Sequence, residues 1–322
     1  MLNFKKIFLM TLAFGLMGLQ AFGKDNLERE GSYKIVVNGY DWGPAVNKVI
    51  VSLNDKISDI NKTTFSVTET KKWYSEKTTE TFKREVTDAY LSDEKGNKIN
   101  AKASKYFVLE MAVSPSEGSP FLYNIKTGMN DWTNPYFLTI KLAEDKKLFL
   151  GKKEIKSFKV DTKVKGKIMP EVDKFKMSEF TSDNITLKYA YYSPKKDLEK
   201  NALVIWLHGM GEGGIDPTIA LLGNKVTALV SDETQNLLKN AYVLVPQAPT
   251  FWMDNGSGDI SKFNGISKYD KSLFDLINAF VSANADIDKT KIIIGGCSNG
   301  GYMTMRTVIL HPDYFSGTKA AF

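Results

Sequence analysis

The order of apolar and polar residues divides the chain into two parts with different periods. Between residues 33 and 164, apolar and polar positions alternate in short runs, such as 33–37 and 106–113, and turn sequences separate these runs. A period of two is typical of strands that bury one face. Several short strands without a helical period predict a β-sandwich over residues 24–168.

After Pro170 the pattern changes to longer apolar runs and helical periods. A hairpin is expected across 175–192. Continuous apolar runs then predict strands buried on both faces at 202–207, 241–245 and 291–294. Segments with a helical period separate these strands and predict helices over 219–239 and 269–283. Alternating strands and helices predict a mainly parallel sheet with crossover helices, which forms a second domain over residues 169–322.

Residues 1–23 have the features of a secretory signal peptide. Two lysines precede an apolar run from Ile7 to Leu19, and Ala21 and Gly23 are small residues at the positions that a signal peptidase reads. The run is shorter than the ~20 residues that span a bilayer, which disfavours a membrane anchor. We therefore expect cleavage after Gly23 and a secreted or periplasmic protein without a membrane anchor.

Composition excludes several classes of protein. With 43% hydrophobic and 12% aromatic residues, the 322-residue chain has too much apolar surface to remain disordered. Its net charge of +6 falls to +4 without residues 1–23 and is spread along the chain, so no nucleic-acid partner is expected. One cysteine and two histidines make neither a disulfide nor a metal-ligand cluster, and we expect no metal and no cofactor.

The pentapeptide Gly296-Cys297-Ser298-Asn299-Gly300 carries the strongest chemical signal. It fits G-x-S-x-G between a predicted buried strand and a predicted helix, which is the context of a nucleophile elbow. Gly296 and Gly300 leave room for a sharp turn that exposes the Ser298 hydroxyl. The motif predicts a serine nucleophile whose oxyanion is stabilised by the amide of Asn299.

A second glycine-rich segment, His208–Gly214, follows the first buried strand. In a serine hydrolase of this topology, the loop after that strand provides a second oxyanion donor, and Gly209 and Gly211 would expose the amide of Met210. The segment also satisfies G-x-G-x-x-G, the dinucleotide fingerprint, but Asp216-Pro217 interrupts the helix that this fingerprint requires. The hydrolase interpretation is therefore favoured, and the histidine of this segment is expected to orient the loop.

These motifs, with 245–249 (VPQAP) and His311-Pro312, resemble secreted bacterial esterases of the α/β-hydrolase superfamily. Residues 39–46 resemble the N-terminal immunoglobulin-like (Ig-like) domain of one group of these esterases, often described as prolyl-oligopeptidase-family. The resemblance implies an Ig-like sandwich followed by an α/β-hydrolase domain. It also implies a small-molecule carboxylic ester as the substrate; nothing predicts the oligomeric state.

The sequence after Ser298 offers few candidates for the acid and the histidine of a catalytic triad. In this fold the acid and the histidine follow the serine. Only His311 follows Ser298, and a helix of ~12 residues would carry it ~18 Å away. We therefore expect the triad acid and histidine to be missing, the hydrolase domain to be incomplete at its C-terminus, and this chain to be inactive or nearly so.

Three functions remain open from the sequence. Ester hydrolysis through an acyl-enzyme on Ser298 is preferred; the alternatives are a serine peptidase on the same fold and a dead hydrolase domain whose β-sandwich binds a ligand. Trp252 lies in the loop after the second buried strand. Such loops line substrate pockets in open α/β sheets, so Trp252 could contact the substrate or pack within its loop.

Overall fold

In the N-terminal half, from residue 31 to residue 168, the regular elements that the structure describes are all strands. The computed structural model describes residues 31–151, 153–155, 157–158, 160–195 and 199–321, and the predicted signal peptide lies outside them. The strands of this half are β1 (Gly31–Tyr40), β2 (Gly43–Ile57), β3 (Phe65–Lys71), β4 (Glu80–Arg84), β5 (Val86–Ser92), β6 (Ser104–Met111), β7 (Phe121–Asn124), β8 (Met129–Trp132), β9 (Tyr136–Leu142), β10 (Leu148–Leu150), β11 (Lys153–Ile155) and β12 (Val164–Ile168).

Two sheets of this half pack face to face, as the alternating pattern predicts. One has the order β12-β1-β2-β6-β5 and the other the order β4-β3-β9. Strand β12 runs parallel to β1, whereas the other neighbours are antiparallel. Phe65 of β3 stacks on Phe107 of β6 with ring centroids 4.7 Å apart, so the alternate residues of both sheets share one apolar interior. The predicted β-sandwich is confirmed.

Three charged side chains lie inside the sandwich. Glu69, Lys71 and Arg84 are each no more than 2% exposed. Glu69 is paired with Arg84 and, at 2.7 Å, with the ammonium group of Lys71. Arg84 also donates to the carbonyl oxygens of Val46 and Ala112, both at 2.9 Å. Burial lowers the pKa of Lys71, whereas the neighbouring carboxylate of Glu69 favours its charged form.

The C-terminal half alternates strands and helices around one six-stranded sheet. Its order is β13-β14-β16-β15-β17-β18, parallel from β16 to β18, with the antiparallel β13 and β14 at one edge. The predicted hairpin and the mainly parallel sheet are confirmed. The elements are β13 (Lys176–Ser182), β14 (Ile185–Tyr192), β15 (Asn201–Leu207), α1 (Pro217–Leu222), α2 (Asp232–Leu238), β16 (Tyr242–Gln247), α3 (Asp270–Ala283), β17 (Ile287–Cys297), α4 (Asn299–Leu310) and β18 (Gly317–Ala321).

The single helix predicted over 219–239 is wrong. The chain forms α1, then an irregular 3-10 stretch over 223–230, then α2, and Asn224 and Lys225 have φ angles of 49° and 51° at the break. The apolar residues of this segment are buried as their period suggests, but against two surfaces. Helix α1 packs on β16 of the six-stranded sheet, whereas the 3-10 stretch packs on β1 of the sandwich. A straight helix cannot reach both, so the chain turns.

One apolar core connects the two halves. It joins Val37 and Val46 of the sandwich to Ile219, Val226 and Val243 of the C-terminal half. A second core lies between the sheet and helices α3 and α4. The sandwich is therefore packed against the α/β half and not merely tethered to it. In the part of the chain that the structure describes, no helix is long and apolar enough to cross a membrane.

Replacing Arg84 with Met should destabilise the protein by about 3–5 kcal/mol, because Glu69 would lose one of its two buried cations and two carbonyl oxygens would lose their donor. Urea-induced unfolding measures the change. The matched control is Lys147→Ala, which removes the exposed pair with Glu154 and should cost at most about 1 kcal/mol. Equal unfolding midpoints for the two variants would contradict a stabilising role of the buried cluster.

Candidate active site

Ser298 occupies a strained turn between strand β17 and helix α4. Its φ and ψ angles are 50° and −114°, a region that side-chain-bearing residues rarely adopt, and its side chain is exposed. Both flanking elements are otherwise largely buried where they meet the turn. Such strain persists only where the surroundings impose it, and it concentrates at functional sites. The turn thus presents one hydroxyl to solvent at the end of the parallel sheet.

The two glycines of the motif make this turn possible. A Cβ built at Gly300 would lie 2.0 Å from the carbonyl oxygen of Leu207, and one built at Gly296 would lie 2.5 Å from the carbonyl group of Gly300. These contacts are with backbone atoms, which cannot swing aside. Only glycine therefore lets the start of α4 approach the end of β15 so closely.

The glycine-rich loop after β15 lies beside the elbow. Met210–Glu212 form a single 3-10 turn, and a Cβ built at Gly209 would lie 3.9 Å from the Cβ of Ser298. The first amides of a helical turn have no partner within it. Met210 and Asn299 are each the first residue of a helical segment that begins next to Ser298. Their amides could therefore donate to an oxygen bound there.

His208 supports the loop from inside. The imidazole is 1% exposed; its Nδ1 lies 2.6 Å from the carbonyl oxygen of Gly209, and its Nε2 accepts the amide proton of Ala248 at 3.0 Å. Burial lowers the pKa of His208 to about 4, so the ring is neutral at physiological pH. With both nitrogens engaged in backbone contacts, His208 orients the loop and is not available as a base for Ser298.

Trp252 does not face the surface. Its side chain is fully buried, and its ring lies 5.1 Å from that of His208 and 5.8 Å from that of Tyr269. The structure therefore does not support the predicted contact of Trp252 with a substrate. The indole packs within its loop and against His208, which directly precedes the glycine-rich turn.

His311 is also remote from the elbow. It follows the last residue of the 12-residue α4, so ~18 Å of helix separate it from Ser298. Its ring stacks on Phe274 with centroids 3.4 Å apart, and partial burial lowers its pKa. Both histidines of the chain are thus described, and the structure brings neither to the Ser298 hydroxyl.

A hairpin of the sandwich reaches the glycine-rich loop, which sequence reasoning missed. A Cβ built at Gly128, in the turn between β7 and β8, would lie 2.8 Å from the terminal methyl of Met210. One built at Gly211 would lie 2.9 Å from the side-chain nitrogen of Asn130. These residues are about 80 positions apart, and no local pattern marks such a contact. The first domain therefore helps to shape the candidate oxyanion loop.

Two protein families match the chain in sequence. The esterase Ig-like N-terminal domain matches residues 32–155, and the phospholipase/carboxylesterase family matches residues 193–321. The chain is an α/β-hydrolase with an N-terminal Ig-like esterase domain. The fold of this hydrolase is similar to that of a thermostable esterase, with a TM-score of 0.71 and 21% identity over 89% of this chain and 76% of that one.

Other solved structures align only with part of the hydrolase. A ferulic acid esterase from the anaerobic fungus Anaeromyces mucronatus is 18% identical, with 44% of this chain and 56% of that one covered and a TM-score of 0.34. A fluorophosphonate-binding serine hydrolase from Staphylococcus aureus is 15% identical over 45% and 55%, with a TM-score of 0.32. The hydrolase thus spans just over half the length of these two proteins. No curated protein matches the chain.

Replacing Gly300 with Ala should destabilise the hydrolase by about 1–3 kcal/mol or more, since the new methyl would overlap the Leu207 carbonyl. Differential scanning calorimetry measures the shift in melting temperature. Gly166→Ala is the matched control, because a Cβ there meets only the side chain of Lys34 at 3.8 Å. A G300A protein as stable as G166A would show that the close approach of α4 and β15 is not required.

Replacing Trp132 with Phe should loosen the contact between the two domains. The Trp132 indole nitrogen donates to the carboxylate of Asp216 at 3.0 Å, and Asp216 caps α1. Loss of a hydrogen bond to a carboxylate costs about 1.5–3 kcal/mol, which urea-induced unfolding can resolve. The exposed Trp42→Phe serves as control and should change stability by less than about 0.5 kcal/mol. Equal effects of both variants would argue against this inter-domain bond.

Proposed function

We propose that the hydrolase cleaves small-molecule carboxylic esters with Ser298 as the nucleophile. The observation that carries this proposal is the exposed, strained Ser298 with the glycine-rich turn beside it. The match to the phospholipase/carboxylesterase family supports an ester as the substrate class. A nucleophile held at a strand-to-helix turn, with backbone amides close by, suits acyl transfer.

In the proposed reaction the Ser298 oxygen attacks the carbonyl carbon of the ester. The carbonyl oxygen becomes an oxyanion, which the amides of Met210 and Asn299 stabilise by hydrogen bonds. Collapse of this intermediate breaks the ester C–O bond, releases the alcohol and leaves an acyl group on Ser298. Water then attacks the acyl carbon and releases the acid with the free serine.

The serine proton needs an acceptor, and this requirement limits the activity. His208 is buried with both nitrogens in backbone contacts, and His311 lies at the far end of α4. The general base is therefore not a histidine of this sequence. Enzymes that lose triad members retain only a residual rate from the oxyanion donors and substrate binding, about 10³–10⁴-fold over water. We expect the 322-residue chain to react at such a residual rate.

We further propose that the enzyme works outside the cytoplasm as a protein without a membrane anchor. The basic start, short apolar run and small residues of 1–23 support export. The dispersed charge of the remaining chain favours a small-molecule substrate over a nucleic acid.

Labelling with a fluorophosphonate tests the nucleophile. The purified protein should label slowly, because the reagent phosphonylates serine without needing an ester pocket, and Ser298→Ala should abolish labelling. Ser257→Ala, which changes an exposed serine in the loop after β16, is the control and should label as the parent does. Mass spectrometry of tryptic peptides identifies the modified residue.

Two outcomes would contradict the proposal. Equal labelling of the parent and S298A would place the reactive group elsewhere. A protein that circular dichroism shows to be folded but that never labels would favour a ligand-binding role for the sandwich. If Ser298 labels, hydrolysis of p-nitrophenyl acetate against a chromogenic peptide separates esterase from peptidase activity, and the proposal requires the ester to react.

A further inference from the structure

Glu212 ends the 3-10 turn beside Ser298, and its side chain folds back onto that turn. The amide of Glu212 donates to the carbonyl oxygen of Gly209 at 3.3 Å, and the carboxylate lies against Gly209 as well. A Cβ built at Gly209 would lie 2.9 Å from the Oε2 atom of Glu212. The same residue is also held through its backbone, because its carbonyl oxygen accepts a hydrogen bond from the Gln247 side chain at 2.9 Å. Glu212 thus connects the start of the turn with the end of β16.

The fold leaves a defined space for this carboxylate. A Cβ built at Gly223, directly after α1, would lie 2.7 Å from the Cγ atom of Glu212 and 3.2 Å from its Oε1 atom. The carboxylate therefore lies between two glycines, Gly209 on one side and Gly223 on the other. Any larger residue at either position would displace it. Burial raises the pKa of Glu212, which agrees with this enclosed position.

The negative charge is close to the nucleophile turn. Burial raises the pKa of the Cys297 thiol, and the charge of Glu212 raises it further. Cys297 directly precedes Ser298. Among the residues that the structure describes, no lysine, arginine or histidine forms an ion pair with Glu212. A partly buried carboxylate without an ion-pair partner destabilises a fold relative to a neutral side chain, which points to a role in the site.

We propose that Glu212 is the positioning residue of the oxyanion loop. By packing its carboxylate between Gly209 and Gly223, it fixes the turn so that the next amide, that of Met210, remains free for the substrate oxygen. This inference rests on the proposed role of Ser298 in ester hydrolysis. It assigns to Glu212 no contact with the substrate; the side chain acts through the backbone that it holds.

Hydrogen–deuterium exchange tests the contact, and labelling tests its consequence. Glu212→Ala should raise deuterium uptake several-fold in peptides that cover residues 208–214, with the remaining peptides unchanged. Fluorophosphonate labelling of Ser298 in the same variant should slow by about tenfold or more, since an oxyanion donor would lose its position. Glu212→Gln keeps the length and shape of the side chain between the two glycines and should restore most of both properties. Glu233→Ala, which removes an exposed carboxylate from α2, should match the parent in both.

The two readouts separate the contact from the proposed function. Unchanged exchange of 208–214 in E212A would overturn the inference, and so would raised exchange with parental labelling. Equal labelling of the parent and S298A would remove the proposed function and with it the oxyanion role, while the exchange data would still show whether Glu212 holds the turn. If E212A does not fold, Glu212→Asp replaces it, because its shorter side chain keeps the charge but withdraws the carboxylate from Gly209.

Discussion

The close approach of helix α4 to the end of strand β15 is the constraint on which the site depends. A Cβ at Gly300 would lie only 2.0 Å from the Leu207 carbonyl oxygen and 2.5 Å from that of His208. The chain can make this approach only by turning sharply at Ser298, which takes a positive φ angle and an exposed position. The glycine-rich loop starts at the same point of β15. One backbone contact therefore brings together the hydroxyl and the neighbouring amides.

The loop beside that contact is held from three directions. His208 joins it to Ala248 from inside the α/β half, and the carboxylate of Glu212 packs against Gly209. The β7–β8 hairpin of the Ig-like domain covers it from the other side, with Asn130 against Gly211. A loop with this many glycines has high conformational entropy when free, so its shape must come from such external contacts. The Ig-like domain thus belongs to the architecture of the site.

Several elements were predictable because local physics decides them. Alternation in the N-terminal half and continuous apolar runs in the C-terminal half reflect burial on one face or two, and the strands follow these patterns. The helix predicted over 219–239 failed because its apolar residues pack against two different domains. A hydrophobic period records that residues are buried but not which surface buries them. The same limit applies to Trp252, an aromatic residue in a loop that could be read as surface or interior.

The order of the two domains and the sharp turn at Ser298 follow from the sequence, because G-x-S-x-G between a strand and a helix requires such a turn for steric reasons. The length of the helix that follows also places His311 far from Ser298. The tertiary structure was needed to show that Trp252 is buried, that the Ig-like hairpin touches the glycine-rich loop, and that Glu212 lies between Gly209 and Gly223. Burial and long-range contacts depend on how distant segments pack, and a linear pattern carries no record of that packing.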